Sequence, residues 1–185
     1  MPIVHPIPPV FDSNSRVLIL GSFPSVKSRE AGFFYGHPQN RFWRVLAAVT
    51  GDDPGQTPQS KTAFLLRNHI ALWDVLASCD ISGSADSSIK NAVPNDLTPI
   101  LETARVAAVF TNGKTADRLY RKFQLEKTGI PAQCLPSTSP ANAQFSEAKL
   151  AAAWQAVMQR GQGTGDRGQG TGDRDQGSGN KGLRE

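Results

Sequence analysis

Val17-Leu18-Ile19-Leu20-Gly21-Ser22-Phe23-Pro24-Ser25 decides how this chain is read. VLIL is a short apolar run bounded by Arg16 and Gly21. A run of that kind predicts a strand buried on both faces, the mark of a parallel sheet. The turn after it is neither a GxGxxG fingerprint nor a Walker loop, since no Gly-Lys-Ser/Thr follows. Pro24 fixes its own φ and biases Phe23 toward an extended conformation. The turn is therefore stiff and can hold backbone amides toward a ligand. A tight strand-to-loop turn without a function would read the same way.

Outward from this strand, apolar residues at 42, 43, 45, 46 and 49 predict a helix over 40–50, with Asn40 as a plausible N-cap. Ser60 is expected to cap a second helix running to Arg67. Ile70–Trp73 reads as the second strand and Val106–Phe110 as the third. Asn112-Gly113 turns the third strand into a helix reaching about Phe123. A last short strand ends at Leu135, and Ser146 caps a terminal helix with Glu147 in its first turn. Asp96 is expected to cap a short helix to Thr103, while 82–91 is ambiguous. Strands alternating with helices imply βαβ units. The expected fold is α/β, a three-layer α/β/α sandwich with a central, mainly parallel four-stranded sheet. Ligands in such sheets bind at the carboxyl ends of the strands.

The length, 185 residues, suits one domain, placed at 1–159. Beyond it, GQGTGDR at 161–167 repeats at 168–174 and loosely at 175–181. This glycine-rich segment, 160–185, has too little apolar surface to offset its ordering entropy, so disorder is expected. No run of apolar residues is long enough to cross a bilayer, and the N-terminus lacks the regions of a secretory signal. Cys79 and Cys134 are too few for a disulfide framework, and reduced thiols in a cytoplasmic protein are expected. The scattered histidines and cysteines have no zinc-ligand spacing, so an ordinary structural zinc site is not expected. A net charge of +4 permits a nucleic-acid partner without arguing for one.

Chemistry concentrates in two further segments. Phe33-Phe34-Tyr35-Gly36-His37-Pro38-Gln39-Asn40-Arg41-Phe42-Trp43 places adjacent aromatics in a loop. One could stack on a planar ligand, worth about 1–3 kcal/mol for a nucleobase; the others suit the core, and His37 could simply brace the loop. Leu135-Pro136-Ser137-Thr138-Ser139-Pro140-Ala141-Asn142 is a rigid, hydroxyl-rich loop after the last strand. It suits gripping of a phosphate backbone, or it is a plain turn. Trp73 and Asp74 end a strand at the same sheet edge. They could line a base pocket, with Asp74 bonding the ring, or pack and cap. Arg118, Arg121 and Lys122 share a helix face, either solvated or a DNA-backbone patch.

Together, GSFPS at 21–25, YGHPQNRFW at 35–43 and LPSTSPANA at 135–143 resemble the uracil-DNA glycosylase superfamily, and most closely its hypoxanthine-DNA glycosylase branch, family six. The resemblance spans about Pro6 to Val157. It implies a monofunctional enzyme that flips a deaminated base out of DNA, hypoxanthine first and uracil second, and hydrolyses its N-glycosidic bond. It implies Asn40 as the catalytic residue, positioning water through its carboxamide oxygen, and Tyr35 as the aromatic that stacks on the base. Phe23, where many relatives carry a catalytic Asp or Asn, would be an apolar wall, with Ser22, Trp73 and Asp74 also facing the base. Ser25, Ser137, Thr138 and Ser139 would contact DNA. Leu135 stands where some relatives have a catalytic His. No metal, cofactor or covalent Lys intermediate is implied, and a monomer acting on DNA is expected. The alternatives are a uracil- or thymine-mismatch glycosylase and a noncatalytic DNA-binding relative.

Overall fold

The computed structural model describes residues 1–162. In chain order the elements are β1 Ile3–Val4, β2 Val17–Gly21, α1 Val26–Ala31, α2 Phe42–Thr50, α3 Pro58–Arg67, β3 Ile70–Asp74 and β4 Leu76–Asp80. A 3-10 turn at Asp86–Ser88 follows, then β5 Lys90–Pro94, α4 Thr98–Thr103, β6 Ala108–Asn112, α5 Lys114–Phe123, α6 Leu125–Thr128, β7 Ala132–Leu135 and α7 Glu147–Gln162. The expected repeat segment beyond residue 162 lies outside the described residues.

The central sheet is four-stranded and wholly parallel, in the order β3-β2-β6-β7. Every residue of β2 is buried, as its unbroken apolar run demands. Successive side chains alternate between two cores. Val17, Ile19, Ile70, Leu72 and Phe110 face a layer built from α2, α3 and α7. Leu18, Leu20, Ala71 and Val109 face α4, α5 and a second sheet. The helical spacing anticipated for α2 puts Phe42, Trp43, Val45, Leu46 and Val49 in the first core. On α7, Leu150, Trp154 and Val157 supply the opposing stripe. Each such side chain contributes roughly 1.5–3 kcal/mol on burial.

Several boundaries differ from the sequence expectation. Thr57, not Ser60, caps α3: the Thr57 hydroxyl accepts from Ser60 N, and the Ser60 hydroxyl accepts from Thr57 N. Such reciprocity satisfies two otherwise orphaned amides, and Pro58 then falls in the first turn. Asn40 is not the N-cap of α2; Arg41 holds that position, although Asn40 Oδ1 accepts from Phe42 N at 2.9 Å. A short helix that the sequence reading did not include, α1, follows the turn after β2 and is capped by Ser25. Helix α7 continues to Gln162, past the expected boundary at 160. The largest omission is the antiparallel sheet β1-β4-β5. Its strands are short, and β5 (KNAVP) is too exposed to have an apolar signature. No helix among the described residues is long and apolar enough to cross a membrane.

Candidate active site

Strand register brings Gly21 beside Asp74 at the ends of β2 and β3, while Asn112 ends β6 on the other side of β2. With the loop after β7, these ends enclose a cavity of about 300 Å³. This is the crevice at the carboxyl edge where neighbouring crossovers depart in opposite directions. Gly21 is required there by contact. A Cβ at this position would lie 2.4 Å from Asp74 Oδ1 and 2.9 Å from the Tyr35 hydroxyl.

Tyr35 belongs to the turn before α2 and holds a φ of 53°, a left-handed conformation costly for a side chain of its size. The surroundings impose it. Its ring stacks on Phe42 with centroids 3.9 Å apart, so one face is covered while the residue still lines the cavity. Trp43 of α2 anchors the same turn by donating its indole N–H to Phe34 O, and Ser28 Oγ accepts from Gly36 N. The Tyr35 hydroxyl accepts from Asn112 Nδ2 at 3.1 Å. Burial, and next the negative charge of Asp74, push its pKa far above the ordinary phenol value. Tyr35 is thus a neutral phenol.

The same Asn112 continues the network. Its Nδ2 donates to Thr138 Oγ1, and its Oδ1 accepts from Thr138 N, both at 3.0 Å. Thr138 Oγ1 in turn donates to Asn40 Oδ1 at 2.9 Å. The Phe42 amide and the Thr138 hydroxyl therefore occupy both lone pairs of the Asn40 oxygen. This revises the sequence expectation that the oxygen holds water. The amide nitrogen is the group left without a partner among the described residues.

Arg41 positions the loop after β7. Its guanidinium donates to the carbonyls of Thr138 at 3.4 Å, Ser139 at 2.9 Å and Asn142 at 3.0 Å, and to that of Phe145. Its own amide also donates to Thr138 O. Trp154 of α7 adds an N–H to Pro136 O. The loop owes its rigidity to these bonds as well as to its prolines.

Two carboxylates face the cavity. Asp74 is 4% exposed and caps no helix; its Oδ2 accepts from His5 Nε2 at 2.7 Å. His5 Nδ1 accepts from Ile7 N, which leaves the ring proton on Nε2 and makes Asp74 the acceptor. Asp86 sits on the 3-10 turn, and its Oδ1 accepts from the Ser22 hydroxyl at 3.0 Å. Burial is the main cause that raises the Asp86 pKa, with the charge of Asp74 adding to it; Ser22 and Arg118 oppose it. The segment bearing Asp86 is docked on α1, where Ser84 Oγ accepts from Val26 N and Gly83 O accepts from Arg29.

Other expected residues separate into those at the cavity and those away from it. Ser22 and Phe23 line it; Phe23 is buried, edge-on to His5, and forms an apolar wall. Trp73 does not line it. Its ring packs into the core and its N–H donates to Ile7 O, because alternation points it away from Asp74. Ser25 borders the cavity, but its hydroxyl accepts from Ser28 N as a helix cap. Thr138 is fully buried and its hydroxyl is committed to Asn40, so it cannot grip a phosphate as expected. Ser137 and Ser139 oxygens accept from backbone amides, which leaves their protons to donate. His37 braces its own loop through Gln39 N. Arg121 pairs with Asp117 of its own helix, as on a solvated face. The sequence reading missed His5, Arg41, Asp86 and Asn112. Arg41 lay within the YGHPQNRFW stretch and Asn112 in an Asn-Gly ending a strand, whereas His5 and Asp86 carried no local signal.

With this geometry in hand, comparison with known proteins is specific. The profile of the Uracil DNA glycosylase superfamily matches residues 8–158. A hypoxanthine DNA glycosylase of Methanosarcina acetivorans is 34% identical over 154 residues, covering 82% of this chain and 96% of that protein. One of Methanosarcina barkeri is 34% identical over 155 residues, covering 83% and 96%. The solution structure of a Methanosarcina acetivorans protein named for the uracil DNA glycosylases superposes with a TM-score of 0.70 at 33% identity, covering 85% of this chain and 99% of that one. The chain that gathers Gly21, Tyr35, Asn40 and Thr138 around one cavity belongs to the uracil DNA glycosylase superfamily.

Proposed function

We propose that this DNA glycosylase excises deaminated bases, hypoxanthine first and uracil second, in base excision repair, acting as a cytoplasmic monomer. The observation that carries the reading is the unbroken hydrogen-bonded path Tyr35–Asn112–Thr138–Asn40 along one cavity wall. It joins two of the three segments on which the resemblance rests, and Gly21 of the third packs against Tyr35. The names of the two Methanosarcina relatives support the choice of lesion.

The target base must leave the stack, which costs a few kcal/mol and less for a damaged pair. Tyr35 and Phe23 offer apolar walls for it, and the backbone N–H groups of Phe23 and Ser25 offer donors. Asp74, held by His5, accepts the ring N–H of hypoxanthine or uracil. Ser137 and Ser139 donate to flanking phosphates. As the glycosidic bond breaks, positive charge grows on the sugar. A carboxamide cannot titrate as a base near neutrality, and a dissociative cleavage needs placement of water more than a strong base. Asn40 orients that water through its amide nitrogen, with its oxygen tied to Thr138 and Phe42 so that the group does not rotate. A noncatalytic binding role, the reading that Phe23 and Leu135 would suggest, is less well matched by so rigidly held a carboxamide.

A panel of duplexes carrying deoxyinosine, deoxyuridine, a G·T mismatch or no lesion, scored by alkaline cleavage at abasic sites, tests this. Release from deoxyinosine above all others is expected. Normal binding without any abasic product would overturn it. Asn40→Ala should lower single-turnover excision about 10²–10³-fold and leave duplex affinity nearly unchanged.

A further inference from the structure

Hypoxanthine and uracil differ as leaving groups. Uracil departs as an anion spread over two carbonyls. Hypoxanthine carries an imidazole-type nitrogen, N7, and departs as a neutral base if that nitrogen is protonated first. A site that favours the purine can do so by supplying one proton.

We infer that Asp86 is the acid that protonates the departing purine at N7, and that this sets the preference for hypoxanthine over uracil; the inference rests on the excision reading above. Of the two cavity carboxylates, Asp74 is unsuited to the task. Its Oδ2 takes the His5 N–H and its Oδ1 is pressed over Gly21. Asp86 has Oδ1 held by Ser22, while Oδ2 has no hydrogen-bond partner among the described residues. One oxygen thus orients the group and the other is available to carry a proton into the cavity it lines. Tyr35 and Asp74 line the same cavity, and the positive charge of Arg118 on α5 acts on Asp86. His37 also lines the cavity. The balance of these groups raises the Asp86 pKa, with burial the leading cause. Carboxylates whose surroundings differ in this way divide into a fixed anion and a proton donor.

The step balances. The Asp86 proton passes to N7 and the C1′–N9 electron pair leaves with the purine, which departs neutral. The oxygen of the water placed by Asn40 bonds to C1′, and its released proton returns to the Asp86 carboxylate. Uracil has no equivalent ring nitrogen, so the acid cannot serve it in this way.

Single-turnover excision by the full chain, with duplexes containing deoxyinosine, 7-deaza-deoxyinosine or deoxyuridine, tests the inference. General acid catalysis contributes about 10²–10⁴-fold. Asp86→Asn should therefore lower the hypoxanthine-to-uracil rate ratio by about 10²-fold or more. Removing N7 from the substrate should cost the native protein a similar factor, and the two changes should not add. The native rate on deoxyinosine should rise toward acid pH, and the variant's should not. Equal losses on deoxyinosine and deoxyuridine, additive losses with the deaza substrate, or equal native rates on deoxyinosine and its 7-deaza analogue would each overturn it. If uracil release is too slow to score, the deaza comparison decides alone. A native protein that releases no base from deoxyinosine refutes the excision reading itself, before any variant is made.

Discussion

The Thr138 hydroxyl donates to the Asn40 carboxamide oxygen across 2.9 Å, linking the turn before α2 to the loop after β7. If Asn40 has the role proposed above, Thr138 is expected to act on excision without touching DNA. Thr138→Val keeps the shape but removes the donor, so the Asn40 amide is no longer held. Single-turnover excision should fall about 10- to 100-fold, the cost of misplacing a reacting group. Duplex affinity should change little, and Thr138→Ser should restore most of the rate. Parallel losses of rate and affinity would instead make Thr138 a DNA contact.

Arg41 satisfies several carbonyls of that loop at once. Arg41→Ala leaves them unpaired and should cost about 2–4 kcal/mol of stability in urea unfolding. Arg41→Lys should recover only part of this, since a point charge cannot reproduce the planar fork. An alanine variant as stable as the native protein would show that the prolines alone hold the loop.

Gly21 admits no side chain. Gly21→Ala drives a methyl into Asp74 Oδ1 and the Tyr35 hydroxyl, both of which are confined. The strand ladder to β3 opposes retreat. Excision should drop more than 10²-fold, and the melting temperature should fall. Native activity in this variant would mean that Tyr35 or Asp74 moves freely, contrary to the packing described.

The Asp86 carboxyl is raised above its ordinary value mainly by burial. A carboxyl raised in the folded state contributes stability that is full below its unfolded pKa, about 3.9. That contribution is lost as pH rises through the folded value. Near neutrality the ionised group is therefore a burden on the fold. Asp86→Asn can still accept from Ser22 but never ionises. Its melting temperature should exceed the native value at about pH 7, and the gap should narrow below about pH 4. A variant less stable at neutral pH would assign Asp86 a structural task in place of a chemical one. Activity lost while stability is gained is the pattern expected of a functional carboxylate.

Much of the framework was legible in the chain. The apolar run Val17–Leu20 specified a strand buried on both faces because only a covered parallel sheet can accept it. Apolar spacing in α2 and α7 marked the stripes that now face each other. Periodicity is a local property and survives without coordinates. The second sheet was not legible, because β1 is two residues long and β5 is largely exposed, so neither leaves a pattern.

The motifs by themselves determined that Tyr35, Asn40 and the Pro136–Pro140 loop belong to one site at the strand ends. Tertiary structure alone decided what each polar atom does there. Thr138 reads as a phosphate ligand in isolation, yet its hydroxyl is spent inside the protein. His5 meets Asp74 across 69 positions of chain, and Ser22 meets Asp86 across 64. Such pairings depend on strand register and on which face each crossover takes. Those are set by the packing of the whole domain, and no stretch of local sequence encodes them.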